Sequence, residues 1–405
     1  MPDHAELGRD AAAQREHPAT SSSKPGVLVD QQLPGLALLV DDGPLRVWLT
    51  AHGEVLERRC YVRYKQGISC VAALRLRSGP AFLLAVSAAA QPKLDKAVLK
   101  APPSAVLIQD PDRRLLLASL TADRDLPAVR DLDDTVTRLL ELDPSGHHIE
   151  TLVYNPQRRW VGVTGRGEQQ AQILLRAYRR QEVDDAVERL GVAGLAAGAL
   201  RVPRLLAAKR RSGLLALDYL PGVSVDVAMA AGSASTDVAA AGEALAKVHQ
   251  VEAPGALPAK VSRASDTARL VGTLAPGLAE RLERVVDTLE RHRPSPATPT
   301  LCHGDFSLDQ VIVSTDEELG LVDWDRAGRG QPAADLASAA AAGLDDPAME
   351  QLLGGYERIR PVPPDLSWHL AHARLQRLAE PFRMGSPSWA AELHQRVTAL
   401  ESALP

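Results

Sequence analysis

Aromatic side chains make up only 3% of this 405-residue chain, and it holds three cysteines. With so few rings there is little to stack against bases, which argues against a nucleic-acid binder. Cys60, Cys70 and Cys302 stand at spacings that suit neither a disulfide framework nor a zinc site. A reduced, cytoplasmic setting is the expectation. No apolar run approaches the roughly eighteen residues that a membrane helix needs, and the first residues are polar, without the apolar core of a secretory leader. Positive charge is not in excess either. At a formal net charge of −5, no global basic field recruits nucleic acid or an anionic membrane. What is there is a chain long enough for a large core and two or three domain-sized units.

The chemistry concentrates between Leu301 and Ala337. A hydrophobic lead-in ends at His303-Gly304-Asp305-Phe306-Ser307-Leu308-Asp309-Gln310, which places an amide side chain five residues after Asp305. A second apolar run, Glu318 to Val322, then delivers Asp323 at a predicted strand end, eighteen positions beyond Asp305. This is the layout of a kinase catalytic loop, in which the first Asp accepts the proton of the attacking hydroxyl. The amide oxygen and the later Asp hold magnesium against the nucleotide phosphates. Phosphoryl transfer asks chiefly for positioning and charge neutralisation, and ionised carboxylates and hard oxygen donors supply both.

These residues resemble the aminoglycoside phosphotransferase and choline kinase group, small-molecule kinases with a protein-kinase-like fold. The group's signature matches His303-Gly304-Asp305, Gln310, Asp323 and Asp335-Leu336-Ala337. The resemblance implies an α+β, bilobal fold with a β-rich N-lobe and a helical C-lobe, ATP or GTP and Mg2+ as cofactors, and a small-molecule hydroxyl as acceptor. Gly304 stands where protein kinases carry the Arg that grips a phosphorylated activation loop, which favours a small acceptor. Gln310 replaces the group's usual Asn, and Asp309 its Gly. Gln at this place is similar to the maltokinase and glucosamine-kinase-like branch, which weakly favours a sugar. By the resemblance, Asp305 is the base, His303 orders its loop, and Gln310 and Asp323 bind metal. Asp325, sharing the face of Asp323 on a strand, is a second metal or acceptor contact.

Taken in order, residues 1–26 read as a disordered lead. Residues 27–130 read as an extra β-rich domain, with strands at Leu36–Val40 and Leu45–Leu49 among others. Its pattern returns ninety residues later, Val71 falling on Val161 and Leu84 on Leu174. Residues 131–218 would be the kinase N-lobe, in which Gly162, Gly165 and Gly167 could form a phosphate-covering hairpin. His147-His148 reads as a solvated turn. Arg176 ends a strand where the group normally places its phosphate-gripping Lys; as a planar, permanently charged fork it would hold phosphate in another pose. Its acidic partner would be Glu182 or Glu188. The segment Asp218, Tyr219 and Leu220 resembles the group's hinge, whose backbone holds the base.

Residues 219–405 would form the helical C-lobe. His249 reads as a packed residue, Asp335 as a helix N-cap, and Trp368, Arg374, Arg377, Pro381-Phe382-Arg383 and Trp389 as the acceptor lid. The expected function is ATP-dependent transfer of phosphate to a small polar molecule, an aminoglycoside, a sugar or an aminosugar. A rival reading, motivated by Arg176 and Gln310, is a kinase-fold protein that binds nucleotide or a partner without catalysis. Intact Asp305 and Asp323 count against it.

Overall fold

The computed structural model describes residues 28–143, 147–166, 172–232, 235–253, 255, 257–261, 263–295 and 297–404. The expected N-terminal lead and Gly167 lie outside the described residues.

Antiparallel sheets fill the N-terminal part. The first sheet comprises β1 (Leu56–Lys65), β2 (Ser69–Leu76), β3 (Gly79–Val86), β4 (Val106–Asp110) and β5 (Leu115–Ser119), in the order β1-β2-β3-β5-β4. The second comprises β6 (His147–Asn155), β7 (Arg159–Arg166), β8 (Ile173–Tyr178), β9 (Leu205–Lys209) and β10 (Leu214–Asp218), in the order β6-β7-β8-β10-β9. The two orders are identical strand for strand. Tyr64 faces Cys70 in the first hairpin, and Tyr154 faces Trp160 in the second, so the ninety-residue offset holds there. Both hairpins are also irregular in the first strand, between Arg59 and Tyr61 and between Thr151 and Val153. The third strand departs from the expected register. Val71 faces Leu84, but Val161 faces Arg176, so Leu84 occupies the place of Arg176 and not of Leu174.

Strand alternation sends successive side chains to opposite faces, and the first sheet buries both. Val71, Ala73, Phe82 and Leu84 meet Trp160, Leu175, Ala177 and Leu214 of the second sheet in one core. Ala72, Leu74, Leu83 and Leu117 point the other way, into a core shared with Val271, Val285, Leu375 and Val397 of C-terminal helices.

Two expected strands are helices, Leu36–Val40 and Asp42–Ala51. The Asp41 carboxylate accepts from the Gly43 amide at 2.9 Å and caps the second, and Pro44 falls in its first turn, where no amide partner is missed. Leu45, Trp48 and Leu49, three and four residues apart, then bury one helical stripe. His147-His148, read as a turn, opens β6 opposite Arg166 and Gly165.

The C-terminal part is helical around the strands that carry the catalytic loop. Thr300–Cys302 pairs with Gly328–Gly330, and the hairpin Val311–Val313 with Leu319–Leu321. Two of the helices, Ala264–Leu274 and Ala279–Arg291, are separated at Pro276. Helices Ser235–Val248 and Asp346–Glu357 touch through glycines. A Cβ on Gly355 would overlap the Ala239 carbonyl, and one on Gly242 the Leu352 carbonyl. No helix among the described residues is long and apolar enough to cross a membrane.

Candidate active site

The catalytic loop is held from behind by a buried carboxylate. Asp335 accepts hydrogen bonds from the amides of His303 (2.7 Å) and Gly304 (2.8 Å). His249 Nε2 lies 3.1 Å from the same carboxylate, and its Nδ1 2.9 Å from the Tyr356 hydroxyl. With Nε2 carrying the proton, Nδ1 accepts from the hydroxyl. Burial pushes the Asp335 carboxyl up, but His249, His303 and the amide bonds outweigh it and hold the group below its ordinary range. Asp335 is thus not the helix N-cap, a place taken by Gln331 of helix Pro332–Ala341; it anchors the loop. His249 is packed, as expected. Gly304 has a conformational reason beyond the small acceptor: its φ is 85°, and a Cβ would stand 2.5 Å from the Arg326 carbonyl oxygen. His303 is fully buried and bonds the Val322 carbonyl through Nε2 at 2.9 Å, which ties the loop to the strand end that bears Asp323. Asp305 is left partly exposed, with Arg326 at 3.5 Å and Arg377 at 3.4 Å.

Asp323 adopts a left-handed conformation, φ 65° and ψ 49°, uncommon for a residue with a Cβ and typical of functional turns. Its Oδ1 receives Arg159 and Arg176, each at 3.0 Å. Asp325 lies on the following turn, Trp324–Arg326, and not on a strand. It receives Arg159 at 2.5 Å, Arg176 at 2.8 Å and the Tyr178 hydroxyl at 2.7 Å, so both of its oxygens are engaged. Burial raises the Asp323 carboxyl, yet Arg176 and Arg159 more than offset this and hold it far below the usual carboxylate range. Arg176 reaches the site because Arg176 and Tyr178 share the face of β8 opposite to Leu175 and Ala177. The expected acidic partners are elsewhere. Glu182 pairs with Arg179, and Glu188 is exposed. Arg176 takes its counter-charge from Asp323 and Asp325 instead.

Gln310 closes the short turn Leu308–Gln310, and its carbonyl accepts from the Val322 amide at 3.0 Å, beside Asp323. Its Oε1 is buried without a hydrogen-bond partner. A buried amide oxygen without a partner, on a residue whose backbone bonds the amide preceding Asp323, is a hard donor of the kind a cation takes together with a carboxylate. Magnesium fits these residues, and would compete with two guanidinium groups for Asp323.

The expected hinge is partly available. The Asp218 amide bonds the Arg204 carbonyl at 3.0 Å and its carboxylate binds Arg204. Tyr219 and Leu220 make no backbone hydrogen bond among the described residues. Gly162 and Gly165 lie within β7 and not in a loop. A Cβ on Gly162 would strike the Trp160 ring and the Glu150 carbonyl, so this glycine serves sheet packing. The hairpin turn next to Arg159 is Pro156-Gln157-Arg158, pinned from outside by a 2.6 Å bond from the Gln157 amide to Asp123.

A cavity of about 1200 Å³ opens in front of Asp305, lined among others by Gln310, Trp368, His372, Arg377 and Arg383. The Trp368 and His372 rings stack at 5.1 Å and 12°. Burial, with His369 and Arg293 nearby, brings His372 down to about 4. Phe382 and Trp389, expected in the lid, are buried against each other and Tyr64 in the core behind it. Arg159, Arg326 and His372 were not singled out by the sequence. Arg159 could have been: it alternates in phase with Val161, the cross-strand neighbour of Arg176.

No curated protein matches the chain. Among solved structures, an amicoumacin kinase in complex with AMP-PNP, Ca2+ and Ami is 12% identical with a TM-score of 0.50, covering 68% of this chain and 94% of its own. The macrolide 2'-phosphotransferase of Brachybacterium faecium is 22% identical with a TM-score of 0.44, covering 67% and 97%. A choline/ethanolamine kinase family protein from Mesorhizobium loti is 19% identical with a TM-score of 0.46, covering 67% and 94%. Residues 154–399 match the phosphotransferase enzyme family, a span that begins in β6 and takes in Arg159, Arg176, the catalytic loop and the cavity wall. The chain belongs to this family and is a small-molecule phosphotransferase.

Proposed function

We propose that the chain moves the γ-phosphate of ATP, or of GTP, to a hydroxyl of a small polar molecule such as an aminoglycoside, a sugar or an aminosugar. The observation that carries this reading is the partnerless Gln310 Oε1 on a residue that lines the same cavity as Asp305, with the strand end bearing the ionised Asp323 bonded to the Gln310 backbone. Asp305 accepts the proton of the acceptor hydroxyl. Arg326 and Arg377 flank its carboxylate and keep it oriented. Gln310 and Asp323 hold magnesium, and Asp325 keeps Arg159 and Arg176 beside it. Nucleoside triphosphate with magnesium, when bound, supplies the phosphoryl group and neutralises its charge. Arg176, joined by Arg159, contacts the phosphates in place of the family's Lys, and the backbone of Tyr219 and Leu220 receives the base. The amicoumacin kinase, crystallised with AMP-PNP, supports a nucleotide in this fold. In this reading residues 27–130 are an added unit beside the N-lobe, residues 131–218, and the helical C-lobe, residues 219–405. The protein works in the cytoplasm, where the nucleotide is available.

The test is phosphate transfer from ATP and GTP to a panel of sugars, aminosugars and aminoglycosides. Asp305→Ala should lower transfer to the successful acceptor by about a thousandfold, in keeping with loss of a catalytic base, while nucleotide affinity stays within a few-fold of wild type. Equal transfer by wild type and Asp305→Ala would remove Asp305 from the chemistry.

A further inference from the structure

A second cleft of about 840 Å³, sharing no lining residue with the cavity before Asp305, opens between helix Gln91–Lys100 and residues 121–130. Lys93, Lys96 and Lys100 project into it from one helical face, and Arg124, Arg130 and Arg180 complete its wall. Lys93, Lys96, Lys100 and Arg130 pair with no carboxylate among the described residues. The two acids in the wall do not answer this charge. Asp123 is buried and occupied by the Tyr154 hydroxyl, the Gln157 amide and the Asp125 amide, and Asp125 lies 3.9 Å from Arg124. More cations lie within reach of Lys93. Burial, then Arg63, Lys93, Arg179 and Arg158, hold the Lys65 amine below its ordinary value. In a chain of net charge −5, this is a local concentration of like charge that the fold leaves uncompensated, and such a surface recruits a counter-charge.

We propose that this cleft binds a small anion bearing two or more linked phosphates. Lys93 to Lys100 spread charge over about 10 Å of helix, a span that a chain of phosphates covers and a single carboxylate does not. The remaining wall is Pro92, Thr121, Ala122 and Pro127, without an aromatic ring on which a base could stack, so the phosphates are read and any nucleoside is not. The Asp123 to Gln157 bond links the cleft floor to the turn that precedes Arg159. The site does not depend on the kinase reading of Asp305.

The test is calorimetric titration of the full-length protein with inorganic tripolyphosphate, with ATP and with a single-stranded oligonucleotide. One tripolyphosphate should bind per chain. The variant Lys93→Gln/Lys96→Gln/Lys100→Gln, its fold checked by circular dichroism, should bind it at least about tenfold more weakly, and raising salt should weaken wild type by a similar factor. Arg159→Gln should bind it as wild type does. Binding of ATP to the Arg159→Gln protein with the same dependence on the three lysines would identify a nucleotide's phosphates as the source; binding of tripolyphosphate alone would identify a free oligophosphate. An affinity unchanged in the triple variant, one lost in Arg159→Gln instead, or binding of the oligonucleotide only would overturn the proposal.

Discussion

Two arginines and two aspartates meet where β7 and β8 approach the catalytic loop, and none of the four can be removed without leaving a charge behind. Arg176 is almost fully buried and contacts both carboxylates. Arg176→Gln should therefore cost about 3 kcal/mol, the scale for breaking one side of a buried ion pair, read as a shift in urea midpoint at constant slope. Magnesium should restore part of this loss and chelator should not, because a cation on Asp323 takes over the missing charge. A second residue-scale expectation concerns His372. Its folded pKa of about 4 lies below the unfolded value of about 6.5, so between those values the unfolded chain binds a proton that the folded one refuses. Acid thus favours unfolding in this window. Stability of wild type should fall from pH 7 towards pH 4 more steeply than that of His372→Gln, and identical slopes would contradict the assignment. At this scale the sequence was legible where residues are neighbours in the chain. Asp305 and Gln310, five residues apart, line one cavity. The partners of Arg176 were not readable, because a salt bridge across 147 residues leaves no local pattern, whereas Glu182 and Glu188 were simply near in sequence.

At the scale of elements, periodicity served well for long segments and poorly for short ones. The strands of both sheets and the amphipathic helices carry enough repeats to declare themselves. Leu36–Val40 is five residues long, too short for a run of leucines to distinguish a strand from a helical turn; the Asp41 amide bonding the Ala37 carbonyl closes it as a helix. Glycines misled in the other direction. Gly162 looked like a loop residue and is a packing residue, because Trp160 folds its ring over the space a side chain would fill. The contact between helices Ser235–Val248 and Asp346–Glu357 had no signal at all. Gly355→Ala should destabilise the protein by about 1–3 kcal/mol, the usual cost of overpacking, with the two helices forced apart at the Ala239 carbonyl. Glycine at a helix interior normally costs stability against alanine, so an unchanged or raised melting temperature would show that the close approach is dispensable.

Across the whole molecule, the first sheet is the element that joins the rest. One of its faces shares a core with the second sheet, the other with the C-terminal helices, and Arg59 reaches from β1 to the carbonyl of Gly385 at 3.2 Å. Trp48, Trp160 and Trp389 sit in these two cores. Their fluorescence and the far-ultraviolet signal should be lost in a single coincident thermal transition; separate transitions would show that the cores are independent. The repetition of strand order was dimly visible in the sequence as an offset of ninety residues, but its use was not, since Leu84, at the place Arg176 holds in the second sheet, reads as one more apolar residue until it is seen in a core shared with Trp160. Two-part kinases that close around their ligands rely on a hinge between sheet and helices. Here the first sheet shares buried cores with both the second sheet and the C-terminal helices, so any rotation of one against the other would have to shear through packed side chains, and the smaller adjustment to a ligand is turning of the Trp368 and His372 side chains in the cavity wall.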